Sequence, residues 1–354
     1  MERGKLTVLV GGQYGSEGKG SIAAYVANDY QMHIRVGSPN AGHTIYWKGE
    51  KHVMQSIPCG WINPQATIVI GRGALLNMKQ LMKEIVHILQ YYPDFLEYRL
   101  KIDAEAGILD EKFHQEEGGV DGEMHRRIGS TGEGVGPARI ARIERDPSKF
   151  KQFKNVAEEY GLEKCMVHNT PEIIAGAQDA GYNILVEGTQ GSALSLLHSY
   201  WPYCTSIDTN ASGIISEVGI APTRVTNVLM VCRTYPIRVH GNSGPMYREI
   251  LWDQIKDKDG NPITPEKTTV TKKVRRIAEW DDILFKQSCI LNAPTEIALT
   301  FADYVDPDLY CCIDPEKVKK SDKLNNFIKQ HMEWGWGKPE VKYIGTGPST
   351  VVEV

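Results

Sequence analysis

Short apolar runs alternate with glycine-rich or polar turns along much of this chain. Apolar residues dominate positions 6–10 and 67–70, and further strand-like runs at 183–186, 227–231 and 297–301 each precede a polar motif. Runs of four or five such residues bounded by turn formers predict buried strands. Because ligands collect at the carboxyl ends of strands in open α/β sheets, the motifs that follow these strands are expected to converge on one crevice.

Helical patterns separate the predicted strands. One amphipathic helix is predicted by apolar residues that recur on a single helix face: Leu75, Met78, Met82, Ile85 and Leu89. Another helix is expected over residues 21–28. Asp146-Pro147 and Thr170-Pro171 each place a capping residue before a proline, which predicts two more helix starts.

Residues 115–137 contain seven glycines and several charges. This segment is too polar to form a core and too rich in glycine for regular structure, so we expect a long active-site loop. The whole pattern predicts an α/β fold. We expect one large domain over residues 1–354, with a mostly parallel central sheet flanked by helices, similar to P-loop NTPases.

Composition narrows the choice of partners. The chain is 41% hydrophobic and 24% charged, as in ordinary soluble proteins, and its net charge of −4 gives no general attraction to nucleic acid or to a membrane. Its seven cysteines are scattered without a C-x-x-C pair, which argues against a zinc site and a disulfide framework. With no signal peptide or membrane-spanning run, we expect a cytoplasmic protein, in the host cytoplasm if it is viral, with small-molecule partners.

The stretch GGQYGSEGKGS at residues 11–21 lies between a predicted strand and a predicted helix. Backbone N–H groups and the positive end of a helix dipole converge in such a turn, which predicts a phosphate-binding loop. The loop is a variant, because Gln13 stands where the Walker pattern requires glycine and Gly20 follows Lys19. An ordinary glycine-rich turn is the alternative, but a lysine between Gly18 and Gly20 has little packing purpose there.

Six motifs follow one another along the chain. They are GSEGKG (15–20), NAGHT (40–44), STGEGVGPA (130–138), EGTQG (187–191), TVTKKVRR (269–276) and NAPTEIALTFAD (292–303). The same order is typical of adenylosuccinate synthetases, so the sequence resembles that family over nearly its whole length. Within the family it most resembles the short phage branch of 2-aminoadenylosuccinate synthetases, from viruses whose DNA contains diaminopurine.

The resemblance implies a C–N bond-forming ligase that works in two steps in one pocket. The γ-phosphoryl of a nucleoside triphosphate first moves to the 6-oxygen of a purine monophosphate, because phosphate is a far better leaving group than hydroxide. The amine of L-aspartate then displaces the phosphate. The family likeness also implies Mg²⁺ as a cofactor and a homodimer.

For the donor and for catalysis, the resemblance implies residues around the phosphate loop. Lys19 matches the cradle for the transferred phosphoryl, His43 matches a donor to the leaving β-phosphate, and Gln190 matches the residue that holds the 6-oxygen. By residue type alone, His43 could be a structural histidine and Gln190 a turn residue, but their motifs favour catalysis. The implied donor-binding set is Gly15, Glu17, Gly18, Lys19, Gly20, Gly42, His43, Thr44, Asp303, Gly345, Gly347 and Pro348.

The purine monophosphate needs anion contacts of its own. Thr131 and Thr205 match phosphate-binding threonines, and Arg145 matches an arginine that reaches the same phosphate from the second subunit of a dimer. Arg145 could equally be a solvated helix residue. The implied set is Ser16, Asn40, Ser130, Thr131, Arg145, Gln190, Thr205 and Val239, and the implied Mg²⁺ ligands are Ser16 and the carbonyl of Gly42.

The resemblance assigns aspartate binding to Thr271, Lys273 and Arg275, in a basic loop that also contains Lys272 and Arg276. A guanidinium can pair with a carboxylate at two points, so arginine suits this task. A solvated basic turn is the usual meaning of such a run. Because the family has arginine where this chain has Lys273, Arg275 is the stronger candidate.

Two departures from the family pattern bear on the substrates. Phe301 stands where the family has a lysine against guanine, so Asp303 leaves ATP, dATP and GTP open as donors, with an adenine donor favoured. Ser16 replaces the aspartate that the family uses as a base at purine N1 and as a Mg²⁺ ligand, and a hydroxyl does neither well. Serine offers space and a hydrogen bond beside the edge where guanine carries a 2-amino group. We therefore predict dGMP as the acceptor, with Ser16 in the catalytic set.

Two other functions fit the sequence less well. An ordinary adenylosuccinate synthetase would act on IMP with GTP, and Ser16 is adverse to that. A catalytically silent nucleotide-binding protein would have no need of Lys19, His43, Gln190 and the basic loop together.

Overall fold

The apolar runs form strands that are buried on both faces. The computed structural model describes residues 2–119, 122–268, 272–333 and 339–354, and its first strand, β1 (Leu6–Gly11), is buried throughout. Leu6, Val8 and Val10 pack on one side of the sheet, whereas Leu9 packs on the other. Because helices cover both sides, such strands appear in the sequence as continuous apolar runs rather than alternating ones.

The remaining strands are β2 (Met32–Arg35), β3 (His43–Trp47), β4 (Glu50–Met54), β5 (Thr67–Ile70), β6 (Leu75–Leu76), β7 (Leu100–Asp103), β8 (Gly107–Ile108), β9 (Met166–Val167), β10 (Ile184–Glu187), β11 (Asn227–Arg233), β12 (Ile237–Arg238), β13 (Glu249–Ile250), β14 (Arg276–Ala278), β15 (Glu296–Thr300), β16 (Glu340–Gly347) and β17 (Thr350–Glu353). The helices are α1 (Lys19–Tyr25), α2 (Met78–Leu89), α3 (Glu111–Glu117), α4 (Glu123–Ile128), α5 (Val135–Glu144), α6 (Thr170–Asp179), α7 (Ala211–Val218), α8 (Asp282–Asn292), α9 (Pro315–Lys319) and α10 (Asp322–His331).

One large sheet organises the described residues. Its ten strands lie in the order β17-β16-β15-β11-β1-β10-β2-β5-β7-β9, and every neighbouring pair is parallel except β16 and β17. Helices α1 and α2 pack on one side, and α6, α7, α8 and α10 pack on the other. The predicted α/β fold with a mostly parallel central sheet is confirmed. The strand order brings the carboxyl ends of β1, β10, β11, β15 and β16 to one edge.

No helix among the described residues is long and apolar enough to cross a lipid bilayer.

The predicted helices are right in part. The helix expected over residues 21–28 instead runs from Lys19 to Tyr25, because Gly18 caps it in a left-handed conformation. Leu75 belongs to the short strand β6, and α2 begins only after Asn77, whose side chain caps it. A helix does begin at Thr170-Pro171, but its capping residue is Asn169, so Thr170 is the first helical residue rather than the cap.

Two sequence predictions are wrong. Asp146-Pro147 does not begin a helix, since the Asp146 side chain caps only a short turn. Residues 115–137 are not an irregular loop, because they contain α4 and parts of α3 and α5. Their glycines act as caps: Gly118 and Gly129 end helices and Gly134 begins one, all with positive φ. Glycine frees these helix ends from the steric cost of the left-handed conformation and so does not prevent helices between them.

Candidate active site

Loops at the carboxyl edge of the sheet enclose a cleft of about 1140 Å³. Ser16 follows β1, Gln190 follows β10, Phe301 and Asp303 follow β15, and Gly345 lies at the end of β16. Most of the residues predicted for the site line this cleft: Gly15, Ser16, Gly18, Lys19, Gly20, Asn40, Gly42, His43, Thr44, Ser130, Thr131, Gln190, Thr205, Val239, Lys273, Arg275, Asp303, Gly345, Gly347 and Pro348. Glu17 and Arg145 do not, and Thr271 lies outside the described residues.

The phosphate loop is held by one of its own carboxylates. Fully buried Glu17 accepts from the backbone N–H groups of Gln13 at 3.1 Å and Gly15 at 2.7 Å, and it pairs with Lys19 Nζ at 2.6 Å. The Lys19 ammonium also donates to the backbone carbonyl of Gln190. The side chain of Glu17, predicted to contact the donor, is therefore occupied inside the loop, where it neutralises and orients Lys19.

Three non-glycine residues at the cleft have left-handed backbones. They are Ser16, Gln190 and Phe301, with φ values of 60°, 61° and 59°. This conformation costs non-glycine residues free energy and persists where the surroundings fix it, commonly at functional sites. It recurs after β1, β10 and β15, and at each of these strands it sets the direction in which the loop leaves the sheet.

His43 is oriented by a carboxylate at the end of β10. His43 Nδ1 lies 2.5 Å from Glu187 Oε1, and the same carboxylate accepts from Arg35 at 2.8 Å and from the backbone N–H of Cys59 at 2.7 Å. Arg35 also donates to the carbonyl of Ala41 at 2.6 Å, beside Gly42. This network ties the NAGHT segment to the sheet and leaves Nε2 of His43 for the cleft.

In the His43–Glu187 pair, Glu187 carries the charge. Burial alone would raise the pKa of the Glu187 carboxyl, but the hydrogen bond from His43 and the charge of Arg35 lower it to about 2. Burial and the Arg35 charge lower the pKa of His43 to about 4. The imidazole is therefore neutral at pH 7 in the free protein, with its Nδ1–H donated to Glu187. A phosphate at Nε2 would favour a second proton there, because a nearby negative charge raises the pKa of a histidine.

Another buried carboxylate shapes the wall predicted to bind the monophosphate. Glu117 accepts from the hydroxyl of Ser130 and from the N–H of Gly134. These two bonds fix the turn between α4 and α5 and present Thr131 to the cleft, which Thr205 also lines. Arg145 lies outside the cleft, exposed at the end of α5.

The basic loop is the arm of a hairpin. The N–H of Arg275 donates to the carbonyl of Glu266 at 2.9 Å, and that of Thr268 donates to the carbonyl of Lys273 at 2.9 Å. Thr271, predicted to contact aspartate, lies outside the described residues. The Arg275 guanidinium lines the cleft and donates no hydrogen bond to the part of the chain that the structure describes. The neighbouring Arg276, in contrast, is bound to Glu249 and does not line the cleft.

At the other end of the cleft, Asp303 lies near the turn formed by Gly345, Gly347 and Pro348. Its Oδ1 atom is buried and has no hydrogen-bond partner among the described residues. Burial raises the pKa of this carboxyl to about 7. The Phe301 ring is already covered on one face, since the Arg233 guanidinium lies 3.8 Å from the centre of the ring.

Five residues that organise the site escaped the sequence reasoning: Arg35, Glu117, Glu187, Arg233 and Glu266. Glu187 opens the EGTQG motif and Arg233 precedes the TYPIRV segment, so both stood beside recognised patterns. Arg35 and Glu266 carry no comparable signal, because only the folded chain brings them to His43 and Arg233.

The oxygen atoms at the cleft fit a Mg²⁺ ion that is bound mainly by the phosphates of a nucleotide. Within the described residues, the one group of three metal-ligating side chains is His43, Cys59 and Glu187, which is fully buried and already neutralised by Arg35. Mg²⁺ prefers oxygen ligands, keeps several waters and is usually bound by one or two carboxylates beside substrate phosphates, so with only neutral protein oxygens here the phosphates would supply the negative charge. The Ser16 hydroxyl and the Gly42 carbonyl are oxygens of that kind at the cleft.

Comparison with known proteins finds one family that matches most of the chain. The model of the adenylosuccinate synthetase family matches residues 8–160 and 147–330. The adenylosuccinate synthetase of Methanococcus maripaludis is 36% identical over 345 residues, which cover 97% of this chain and 96% of the relative. That of Methanocaldococcus jannaschii is 37% identical over 346 residues, which cover 97% and 94%.

Two solved structures are also similar. The succinoaminodeoxyadenylate synthetase of cyanophage S-2L, bound to dGMP and to dATP as an energy donor, has a TM-score of 0.82 and 27% identity, covering 99% of this chain and 96% of that one. The fully ligated adenylosuccinate synthetase of Plasmodium falciparum has a TM-score of 0.84 and covers 99% and 100%. Its identity of 20% makes this second likeness one of fold alone.

The His43–Glu187 pair generates a test. Glu187→Gln should lower kcat by about a hundredfold or more, because His43 loses the charge that stabilises its protonated form. If protonated His43 donates to the bound phosphate, wild-type kcat should fall as pH rises through the pKa of His43 in the complex. The variant should show that fall at lower pH. The measurement is kcat against pH for both enzymes.

Asp103→Asn is the matched control, since Asp103 is also fully buried, pairs with Arg72 and lies outside the cleft. Glu187→Gln breaks a fully buried ion pair and should cost about 3–5 kcal/mol of stability. Asp103→Asn should cost less, because its partner Arg72 is 37% exposed. Only Glu187→Gln should change the pH profile. Equal profiles in the two variants would leave Glu187 a purely structural role.

Proposed function

Because this chain belongs to the adenylosuccinate synthetase family of C–N bond-forming ligases, we propose that it joins L-aspartate to the 6-position of dGMP, with ATP or dATP as donor. With ATP, the products are N6-succino-2-amino-2′-deoxyadenylate, ADP and phosphate. Such a reaction leads to diaminopurine nucleotides and fits a phage enzyme that works in the cytoplasm of its host.

The choice of dGMP rests on Ser16. Its backbone is left-handed, its carbonyl accepts from Arg233 at 3.1 Å, and the residue is exposed at the cleft. A fixed backbone therefore presents a small hydroxyl where the family resemblance expects a carboxylate. The space suits a purine with a 2-amino group. The cyanophage enzyme that resembles this chain was solved with dGMP, which supports the same choice.

We assign the first step, phosphoryl transfer to the 6-oxygen, to residues at the centre of the cleft. Lys19 supplies fixed positive charge, because Glu17 and the Gln190 carbonyl hold its ammonium in place. Gln190 orients the 6-oxygen, and His43 donates a hydrogen bond to the β-phosphate of the departing nucleoside diphosphate. Preorganised charge of this kind stabilises negative charge shared between donor and acceptor without reorganisation during the reaction.

Mg²⁺ is the proposed cofactor, with Ser16 and the Gly42 carbonyl as its protein contacts. When bound, it would neutralise part of the charge of the donor phosphates. The monophosphate is assigned to Asn40, Ser130, Thr131, Thr205 and Val239, all of which line the cleft.

For the second step, we assign the aspartate carboxylates to the basic hairpin. Arg275 supports this assignment best, because its guanidinium lines the cleft and has no hydrogen-bond partner among the described residues. Lys273 lies farther out, with its ammonium 3.5 Å from His125 Nε2. Thr271 completes the proposed set by family resemblance.

A homodimer is proposed with Arg145 as the residue that crosses the interface. Arg145 ends α5 outside its own cleft, and the same helix exposes Ile140 by 60% and Ile143 by 74%. Two exposed isoleucines beside an exposed arginine suit a surface that pairs with a second copy. Sedimentation equilibrium that found only monomer would remove this assignment.

Adenylosuccinate synthesis from IMP with GTP is the second candidate function. The relatives with 36–37% identity carry that name, and they span nearly the whole chain. Two features of this chain can distinguish the two candidate functions. One is Ser16, and the other is the donor pocket, where Arg233 covers Phe301 and the pKa of Asp303 is raised.

The first test concerns Ser16. Ser16→Asp should move preference from dGMP toward IMP, because the carboxylate crowds the 2-amino group and faces N1. Aspartate tolerates the left-handed backbone at this position. The ratio of kcat/KM values should change about ten- to a few-hundredfold. Ser16→Asn is the control: it fills the same volume without a base, so it should weaken dGMP turnover without improving IMP turnover.

Binding and turnover need separate measurement, since an aspartate can also pair with the N–H edge of guanine in an unreactive pose. A wild type that already prefers IMP, or an unchanged dGMP-to-IMP ratio in both binding and turnover of Ser16→Asp, would exclude Ser16 as the selecting residue.

The second test concerns the donor. Neutral Asp303 can donate to N1 of adenine and accept from its amino group, whereas the ionised form suits the two N–H groups of guanine. The pKa of about 7 gives the neutral form below that pH and the ionised form above it. ATP should therefore outperform GTP, and its advantage in kcat/KM should shrink as pH rises from about 6 to about 8.

Asp303→Asn is the informative control, because an amide offers one donor and one acceptor at every pH. It should keep ATP use, lose GTP use and abolish the pH dependence of the ratio. Strong preference of the wild type for GTP throughout the pH range would contradict the proposal.

The third test concerns aspartate. Arg275→Ala should raise the apparent KM for aspartate by the equivalent of about 2 to 5 kcal/mol and leave the donor KM nearly unchanged, because it removes one charge-assisted contact. Arg276→Ala deletes the neighbouring guanidinium, which is bound to Glu249 outside the cleft, and should not raise that KM. An unaltered aspartate dependence in Arg275→Ala would return the hairpin to a solvated basic turn.

A further inference from the structure

Arg233 connects three walls of the cleft without facing it. It is the last residue of β11, its side chain is fully buried, and it does not line the cleft. One guanidinium nitrogen donates to the carbonyl of Ser16 at 3.1 Å, and the group pairs with Glu266 at 2.5 Å. Its plane lies 3.8 Å from the centre of the Phe301 ring. A single guanidinium therefore touches the phosphate loop, the base of the basic hairpin and the donor pocket.

The backbone of Arg233 is fixed as well. Gln13 accepts from its N–H at 3.0 Å and donates to its carbonyl at 3.0 Å, so the two residues form a reciprocal pair between β1 and β11. The direction of the Arg233 side chain is thereby set at the carboxyl ends of β1 and β11, which are neighbouring strands of the sheet. The loops are held relative to that rigid reference.

Glu266 carries the connection into the hairpin. Its carboxylate accepts from Arg233 and, at 3.1 Å, from the hydroxyl of Tyr304, which follows the donor pocket. Its backbone carbonyl accepts the N–H of Arg275, and the next residue, Lys267, forms an antiparallel bridge with Val274. Movement of the Glu266 side chain would therefore displace the hairpin arm that carries Arg275.

We propose that the Arg233–Glu266 ion pair is a positioning device that couples the donor pocket, Ser16 and the aspartate hairpin, so that disturbance of this one pair alters the binding of both donor and aspartate. The inference rests on the proposed assignment of the hairpin to aspartate. Under this proposal, Arg233 and Glu266 are positioning residues, which act through Ser16, Phe301 and Arg275.

The chemistry explains why arginine is needed. A guanidinium is planar, donates in several fixed directions and stacks on an aromatic ring, whereas an ammonium is a compact charge. Lysine at this position could pair with Glu266, but it could not also hold the Ser16 carbonyl and cover Phe301. Arg233→Lys therefore keeps the charge and removes the connection.

Arg233→Lys is the central experiment, with KM for ATP and for aspartate, kcat and melting temperature measured on the full chain with whichever monophosphate the wild type uses. Both KM values should rise and kcat should fall, each about ten- to a hundredfold, because small misplacements of reacting groups cost rate and affinity at this scale. Glu266→Gln, which keeps hydrogen bonds and removes the charge, should shift both KM values in the same direction.

Arg99→Lys is the matched control. Arg99 is also buried, stacks on Tyr92 at 4.8 Å and donates to backbone carbonyls, but it lies outside the cleft. The Arg99→Lys variant should have a lower melting temperature and unchanged KM values for ATP and aspartate. A change in melting temperature alone in Arg233→Lys, or a change in only one KM, would overturn the coupling.

Arg275→Ala separates this inference from the assignment beneath it. A normal aspartate KM in that variant overturns the assignment of the hairpin to aspartate. A raised aspartate KM there, together with normal KM values in Arg233→Lys, overturns the coupling alone.

Discussion

Buried carboxylates hold the ligand loops of this protein. Loops beyond the ends of parallel strands lack ladder hydrogen bonds, so their N–H groups and cations need other partners. A buried, unpaired charge costs several kcal/mol, so each such carboxylate must be satisfied, and here the donors are groups of the site itself. Three of these carboxylates are buried: Glu17 in the phosphate loop, Glu117 at Ser130 and Glu187 at His43. A fourth, Glu266 at Arg233, is partly buried.

In this arrangement the backbone of the site is held in place, whereas the side chains that face ligands can change. Ser16 lies on a loop whose amides are bound to Glu17 and whose carbonyl is bound to Arg233. Its side chain can therefore differ from that of relatives without a change in the path of the backbone. The same fold occurs in a cyanophage enzyme solved with dGMP and in a Plasmodium falciparum adenylosuccinate synthetase. We infer that acceptor choice depends on few side chains at fixed positions.

The cations of the site fall into two groups. Arg35, Lys19 and Arg233 are buried against carboxylates and set geometry. Arg275 faces the cleft with no hydrogen-bond partner among the described residues, and Lys273 is exposed beside it. The first group neutralises the carboxylates that it contacts. We propose that the second group binds anionic ligands. A negatively charged chain can therefore bind nucleotides and aspartate through a local excess of positive charge.

The sequence by itself determined the sheet and the family. Apolar runs such as residues 6–10 predict strands buried on both faces, and ordered glycine motifs predict loops at one edge, because both signals are local. It failed over residues 115–137, since a glycine that caps a helix and one that prevents a helix look alike in sequence. The family resemblance singled out Arg275, but the residue pattern alone gives no reason to prefer it to Arg276, and no signal in the sequence points to Glu266. Only the tertiary structure decides which of two adjacent guanidinium groups meets a carboxylate, because that partner comes from a distant part of the chain.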